Sequence, residues 1–226
     1  MPGEAAPDRR VYNPVPGERS PAGPRRGGPA HGATETPMPG SLPAFARLDR
    51  SLVPGDHPFL ALLPGAAASP ALARIAARPT AQARLLDRAL VQIRGDRGYA
   101  FVDMERPCIV LSEAYFRDGA ELDIYLDLLH ELTHLRQLEE GLDLWDERFA
   151  YVDRPTEVEG YAVAIEEGRR LGMTDQEVVD HLSNPWMTAA EVKRLLRNVD
   201  AFLTDGVLPT TGEVTPPAPR RPRRPW

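Results

Sequence analysis

His130-Glu131-Leu132-Thr133-His134 is the stretch on which the reading of this chain turns. The two histidines are four residues apart, so on a helix they share one face about one turn from each other. Two imidazoles so placed can bind one tetrahedral metal ion, and the intervening Glu131 then projects beside a water activated by that ion. Zinc brings the pKa of such a water to about 7, so Glu131 is expected to accept its proton as general base and deliver it to a leaving amine.

The flanking residues support that placement. The pattern predicts one helix from Ala120 to Glu139, ending near Gly141. At about 100° per residue, Asp123, Asp127, His134 and Gln137 fall on the face of His130, with Glu131 and Thr133 at its edges. Leu122, Tyr125, Leu128, Leu129, Leu132 and Leu135 take most of the remaining circumference. An ordinary solvated stripe contains Lys or Arg, and this one contains neither. A buried helix facing a polar cleft is expected.

Working outward, Tyr99 to Met104 and Cys108 to Leu111 are β-prone runs flanking Glu105-Arg106-Pro107, which predicts a hairpin or two strands. Ala71 to Arg94 reads as one helix or two, broken near Pro79. Downstream, Thr156 with Glu159, Thr174 with Glu177 and Thr188 with Glu191 each have the form of a capping box and are expected to open helices. The first of these should end near Gly172, and Pro185 separates the other two. The fold class expected is α+β, mostly helical, with a small sheet preceding the helix of the two histidines.

A catalytic zinc site needs three protein ligands and an open position. No histidine follows closely, and His181 lies far downstream with no motif around it. A carboxylate is the expected third ligand, with Glu157 and Glu159 as candidates. Glu159 has a competing role in the capping box, whereas Glu157 at the start of the helix is free to point away. Gly160 would let a second helix approach closely. The plainer alternative keeps His130 and His134 as hydrogen-bonded histidines and Glu157 as a surface acid favoured by the helix N-terminus.

In this order the elements resemble a gluzincin-type metallopeptidase, most closely the compact minigluzincin and ImmA/IrrE-like members. The resemblance covers about residues 98–172 and rests on His130-Glu131-Leu132-Thr133-His134 and on Glu157-Val158-Glu159-Gly160-Tyr161-Ala162-Val163-Ala164. It implies a zincin-like domain, Zn2+ held by His130, His134 and Glu157, and Glu131 as general base. It also implies an edge strand, corresponding to Cys108–Leu111, along which an extended peptide lies. Gly160 stands where the family has Ala. Tyr161 replaces the Asp or Asn that orients a zinc-binding histidine; Asp127 is one substitute for that contact. Tyr161 or Tyr151 is instead expected to donate to a developing oxyanion, making Tyr161 a catalytic candidate beside Glu131.

Composition bounds the rest. The chain has 226 residues, 42% of them hydrophobic, with a formal net charge of −6. Residues 1–37 carry net +1 and residues 207–226 net +3, which leaves −10 on the body between them. An acidic body argues against nucleic acid as the primary partner. The domain is expected at 44–206, between a Pro/Gly/Arg-rich tail at 1–43 and a basic Pro/Arg tail at 207–226, both read as disordered. Met38-Pro39-Gly40 repeats Met1-Pro2-Gly3, so Met38 is an alternative start. One cysteine, Cys108, excludes an internal disulfide. It is read as core, His57 as structural, and Trp145, Phe149 and Tyr151 as packing anchors. No secretory leader or membrane span is recognisable, which points to the cytoplasm.

Two functions follow as expectations. The first is a zinc metallopeptidase acting on a peptide or protein substrate. The second is a non-catalytic regulatory or scaffold protein on the same fold, with helices at 174–206 and the basic tail binding a partner.

Overall fold

The computed structural model describes residues 47–95 and 98–210, together with Pro43. The start at Met38, the N-terminal tail up to Leu42 and the C-terminal tail from residue 211 lie outside the described residues. Along the chain the elements are β1 (Gly55–Pro58), α1 (Phe59–Leu62), α2 (Ala71–Ile75), α3 (Pro79–Arg88), β2 (Leu90–Arg94), β3 (Ala100–Asp103), β4 (Cys108–Ser112), α4 (Glu113–Asp118), α5 (Glu121–Glu139), α6 (Pro155–Arg170), α7 (Asp175–Leu182) and α8 (Ala189–Asp205). The expected α+β class, mostly helical with a small early sheet, is what is found.

The sheet order is β1-β2-β4-β3. Strand β4 pairs parallel with β2 and antiparallel with β3, the hairpin partner expected from the sequence. Every residue of β4 is buried, as befits a strand covered on both faces. Two expectations are corrected here. Leu90–Arg94 is not the end of a helix but strand β2, whose Val91 and Ile93 turn inward in the period-2 pattern of a half-buried strand. And Cys108–Leu111 is internal, so the edge next to α5 is β3. Pro79 does break the helical stretch, because it occupies the first turn of α3, where its missing N–H costs nothing.

Helix α5 is buried along most of its length, which explains its leucines all round. It packs on the sheet through a core that includes Ile109, Leu111, Ile124, Leu128 and Leu132. Its stop at Gly141 has the geometry of a Schellman motif: Gly141 sits at φ 79°, the Leu142 N–H bonds the Gln137 carbonyl, and the Gly141 N–H bonds that of Leu138. Helix α6 lies against α5 on one side. On the other, Val158, Ala162 and Ile165 join Val178, Leu182, Val192, Leu195 and Val199 from α7 and α8 in a second core. Leu208, just past α8, still packs there.

Close approach of α5 and α6 depends on two glycines two turns apart. A Cβ on Gly160 would lie 3.0 Å from Nδ1 and Cε1 of His130, and one on Gly168 would lie 3.2 Å from Leu126 Cδ1. Between the helices a buried polar network closes the far end of the contact. Tyr125 donates to Glu167 at 2.9 Å, and Arg170 donates to the same carboxylate at 2.6 and 2.7 Å. Among the described residues no helix is long and apolar enough to cross a membrane.

Candidate metal centre

The expected capping box at Thr156 does not form. Helix α6 begins at Pro155, two residues before the start that a Thr156 cap would set, after Arg154 in the extended conformation that a following proline imposes. Thr156 is therefore inside the first turn, and its hydroxyl is buried without a hydrogen-bond partner. The capping boxes at Thr174 and Thr188 are present as expected. The shift gives Glu157 the third helical position, where the positive end of the helix favours a carboxylate.

From there Glu157 meets both histidines of α5. Its Oε2 is 3.4 Å from His130 Nε2 and 3.6 Å from His134 Nε2, and all three side chains are buried. These separations exceed ordinary N–H···O hydrogen bonds, about 2.7–3.2 Å, and Glu157 Oε2 has no hydrogen-bond partner. Ligand atoms about 2.0–2.1 Å from one tetrahedral ion stand about 3.3–3.4 Å apart. Both separations from Glu157 are close to that spacing, and the three ligand atoms all lie within 4.8 Å of one another. Among the described residues they form the one group of three or more His, Cys, Asp or Glu side chains that can hold a metal ion.

Gln137 orients the second histidine. Its Oε1 lies 2.7 Å from His134 Nδ1, so Nδ1 carries a proton and Nε2 is the nitrogen turned to the group. The amide nitrogen of Gln137 donates to the Thr156 carbonyl at 3.2 Å and to Glu159 at 2.7 Å. Glu159 also pairs with Arg136 at 2.7 Å. Glu159 is thus neither a cap nor part of the triad but a brace between α5 and α6. The role of Gln137 was missed in the sequence, where it was one polar residue of the stripe. The available signal was its place one turn beyond His134 on that face.

His130 is held differently. Its ring packs on Tyr161, with centroids 4.3 Å apart, and its Nδ1 has no hydrogen-bond partner. Asp127, the expected substitute for the family's orienting acid, does not serve it. That carboxylate accepts from Tyr115 at 2.7 Å and stands 3.6 Å from His181 Nε2, while Asp123 is 3.3 Å from His181 Nδ1. His181 thereby ties α7 to α5 and lies outside the triad.

No protein-family model matches this chain, and no curated protein or solved structure does. The reading of the site rests on its geometry.

The electrostatics are those of a dehydrated cluster. Burial pushes Glu131 up to about 8, despite the opposing charge of His134. The Val102 N–H of β3 donates to the Glu131 carboxylate. Burial and the neighbouring His134 hold His130 down to about 4. For His134 and Glu157, burial works against both charges, but their mutual attraction outweighs it, so His134 is raised and Glu157 lowered. Tyr161 and Tyr151 share a 2.8 Å hydroxyl contact, and Asn184 donates to Tyr161 at 3.2 Å. Burial raises both phenols, with the Glu157 charge adding to it.

The N-terminus of α6 is anchored from behind. Asp153 accepts from Arg194 Nε at 2.7 Å, and Asn198 donates to the Val152 carbonyl at 2.8 Å. Helix α8 thus fixes the segment that sets Glu157 in place. Cys108 is buried, as expected, and His57 bonds the Val53 carbonyl at 2.7 Å. Tyr151 touches the site through Tyr161, whereas Trp145 is 41% exposed rather than packed away.

Proposed function

We propose that this chain is a zinc-dependent metallopeptidase in which His130, His134 and Glu157 hold the ion and Glu131 is the general base. The observation that carries the reading is the convergence of three buried ligand atoms, two of them 3.4 and 3.6 Å from a carboxylate oxygen that makes no hydrogen bond. Two imidazoles and one carboxylate match zinc in ligand type and number, and leave a fourth position open. A zinc ion bound there supplies a Lewis acid that polarises a carbonyl and activates water near neutral pH.

The remaining chemistry belongs to the chain. Glu131, at the edge of the histidine face of α5, would take the proton from water and pass it to the leaving amine. Strand β3 is the edge strand a substrate would meet, with its outward Val102 N–H given to Glu131 in the absence of substrate. Because the Ser112 N–H bonds the Tyr99 carbonyl, the alternation of the ladder turns Ala100 and Val102 away from β4, towards α5. An extended peptide added there runs past Glu131. Tyr161 packs on His130, and its hydroxyl would be the donor to developing charge on the substrate oxygen.

One observation favours a second reading. The Tyr161 hydroxyl is already engaged by Tyr151 and Asn184, which suits a site that keeps metal without turnover and serves a partner-binding protein. Metal content and hydrolysis of a peptide library separate the two. The peptidase reading expects about one zinc per chain, hydrolysis by the wild type, and a Glu131→Gln variant that keeps its metal and loses activity. A protein that retains zinc but cleaves nothing supports the second reading, and one that takes up no zinc overturns the peptidase reading.

A further inference from the structure

Arg154, the residue preceding α6, is buried with most of its hydrogen-bonding capacity unused. It is 8% exposed, yet its Nε and Nη1 are sealed from solvent and have no hydrogen-bond partner. Nη1 stands 3.8 Å from Glu157 Oε1, too far for a hydrogen bond, and Oε1 is the oxygen turned away from the histidines. The side chain caps nothing; only its backbone carbonyl serves the helix, accepting from the Val158 N–H. Its positive charge also draws electron density from the carboxylate that faces the histidines, so it does not strengthen that ligand. A buried guanidinium with two nitrogens that make no hydrogen bond is costly, and Nη2, the nitrogen outside the sealed set, is the one that can meet an incoming carboxylate.

The surroundings point the same way. The guanidinium carbon lies 5.4 Å from the Trp145 ring and 5.9 Å from the Tyr151 ring. Trp145 is 41% and Trp186 38% exposed, and the Trp186 ring meets Tyr151 edge-on at 6.3 Å. Of the guanidinium nitrogens, only Nη2 is outside the sealed set. The charge therefore sits beside two aromatic rings and next to the triad's own Glu157.

We propose that Arg154 determines specificity by binding a carboxylate of the substrate close to the scissile bond, with Trp145 and Tyr151 flanking the carbon skeleton that carries it. This rests on the metallopeptidase reading. The carboxylate is either the end of a peptide chain or the side chain of an acidic residue, and both present the same fork of oxygens.

The test uses cobalt(II)-loaded full-length protein, whose visible absorption reports metal uptake and its perturbation by a metal-binding probe. Three succinyl hydroxamates differ only at the far end: alanine with a free carboxylate, alanine amide, and aspartate α-amide with only a side-chain carboxylate. At least one acidic probe is expected to bind about tenfold or more tightly than alanine amide, as charge-assisted hydrogen bonds imply. The tighter of the two acids names the source. Arg154→Gln should take up cobalt and lose the preference, and Arg154→Lys should keep part of it. Equal affinity of all three probes for the wild type, a comparison that needs no variant to fold, overturns the proposal while leaving the metal site standing. A preference that survives in Arg154→Gln also overturns it. Absence of any cobalt spectrum overturns the metal reading and this inference with it.

Discussion

Gln137 shows how much of this site is decided by side chains that are not ligands. It joins His134, the Thr156 carbonyl and Glu159 in one buried set of contacts, so it fixes both a ring tautomer and the seat of α6. Loss of such an outer contact typically lowers metal affinity about 10–100-fold. Gln137→Leu is therefore expected to weaken zinc binding by that factor in a chelator competition, and unchanged affinity would remove Gln137 from the site. Glu157→Ala and Glu159→Ala make the paired test of the third ligand: dialysed Glu157→Ala should contain no zinc, and Glu159→Ala should retain it. At Gly160 the argument is steric. A methyl group 3.0 Å from the His130 ring overpacks a helix contact at a cost of about 1–3 kcal/mol. Gly160→Ala should lower Tm by roughly 2–4 °C per kcal/mol in a chain this long, and an unchanged melting curve would show that α6 can retreat.

At the level of elements, the three capping-box signatures had the same form, and only two close. Thr174 and Thr188 accept from the N–H groups of Glu177 and Glu191, and each carboxylate reaches back to its threonine. Thr156 fails because Pro155 starts the helix two residues sooner and carries the threonine inside. The contrast is measurable by denaturant unfolding. Thr174→Ala and Thr188→Ala should each cost about 1 kcal/mol. Thr156→Val removes a buried hydroxyl without a partner and should be neutral or stabilising, by up to about 1–3 kcal/mol. A loss at Thr156 comparable to that of the two caps would contradict the observed helix start.

On the scale of the whole molecule, the triad bridges the two packed helices that join the sheet-side core to the α7–α8 core. An ion bound only by the folded chain stabilises it by mass action, by about 2.7 kcal/mol at a hundredfold excess over Kd. Zinc should accordingly raise Tm by several degrees, and a chelator should reverse the rise. In His134→Ala the shift should vanish, and a shift that persists would place the ion elsewhere.

Local pattern settled the mostly helical α+β class, the span and stop of α5, the β3–β4 hairpin and two capped helices, since periodicity, caps and turn residues act within a few positions. The pair His130 and His134 was legible for the same reason, because one helical turn fixes their spacing. The triad needed more. That Glu157 rather than Glu159 faces the histidines depends on where α6 begins and on how closely Gly160 lets it approach. Pro155 lay in the sequence, but its effect on the register was not read from it. Contacts across long separations, such as Gln137 with Glu159, Asp127 with His181 instead of His130, and β4 enclosed between β2 and β3, were decided by packing alone. The motif thus marked two candidate ligands, and the helix-start reading already favoured Glu157 as the third, but only the tertiary structure brought the three together.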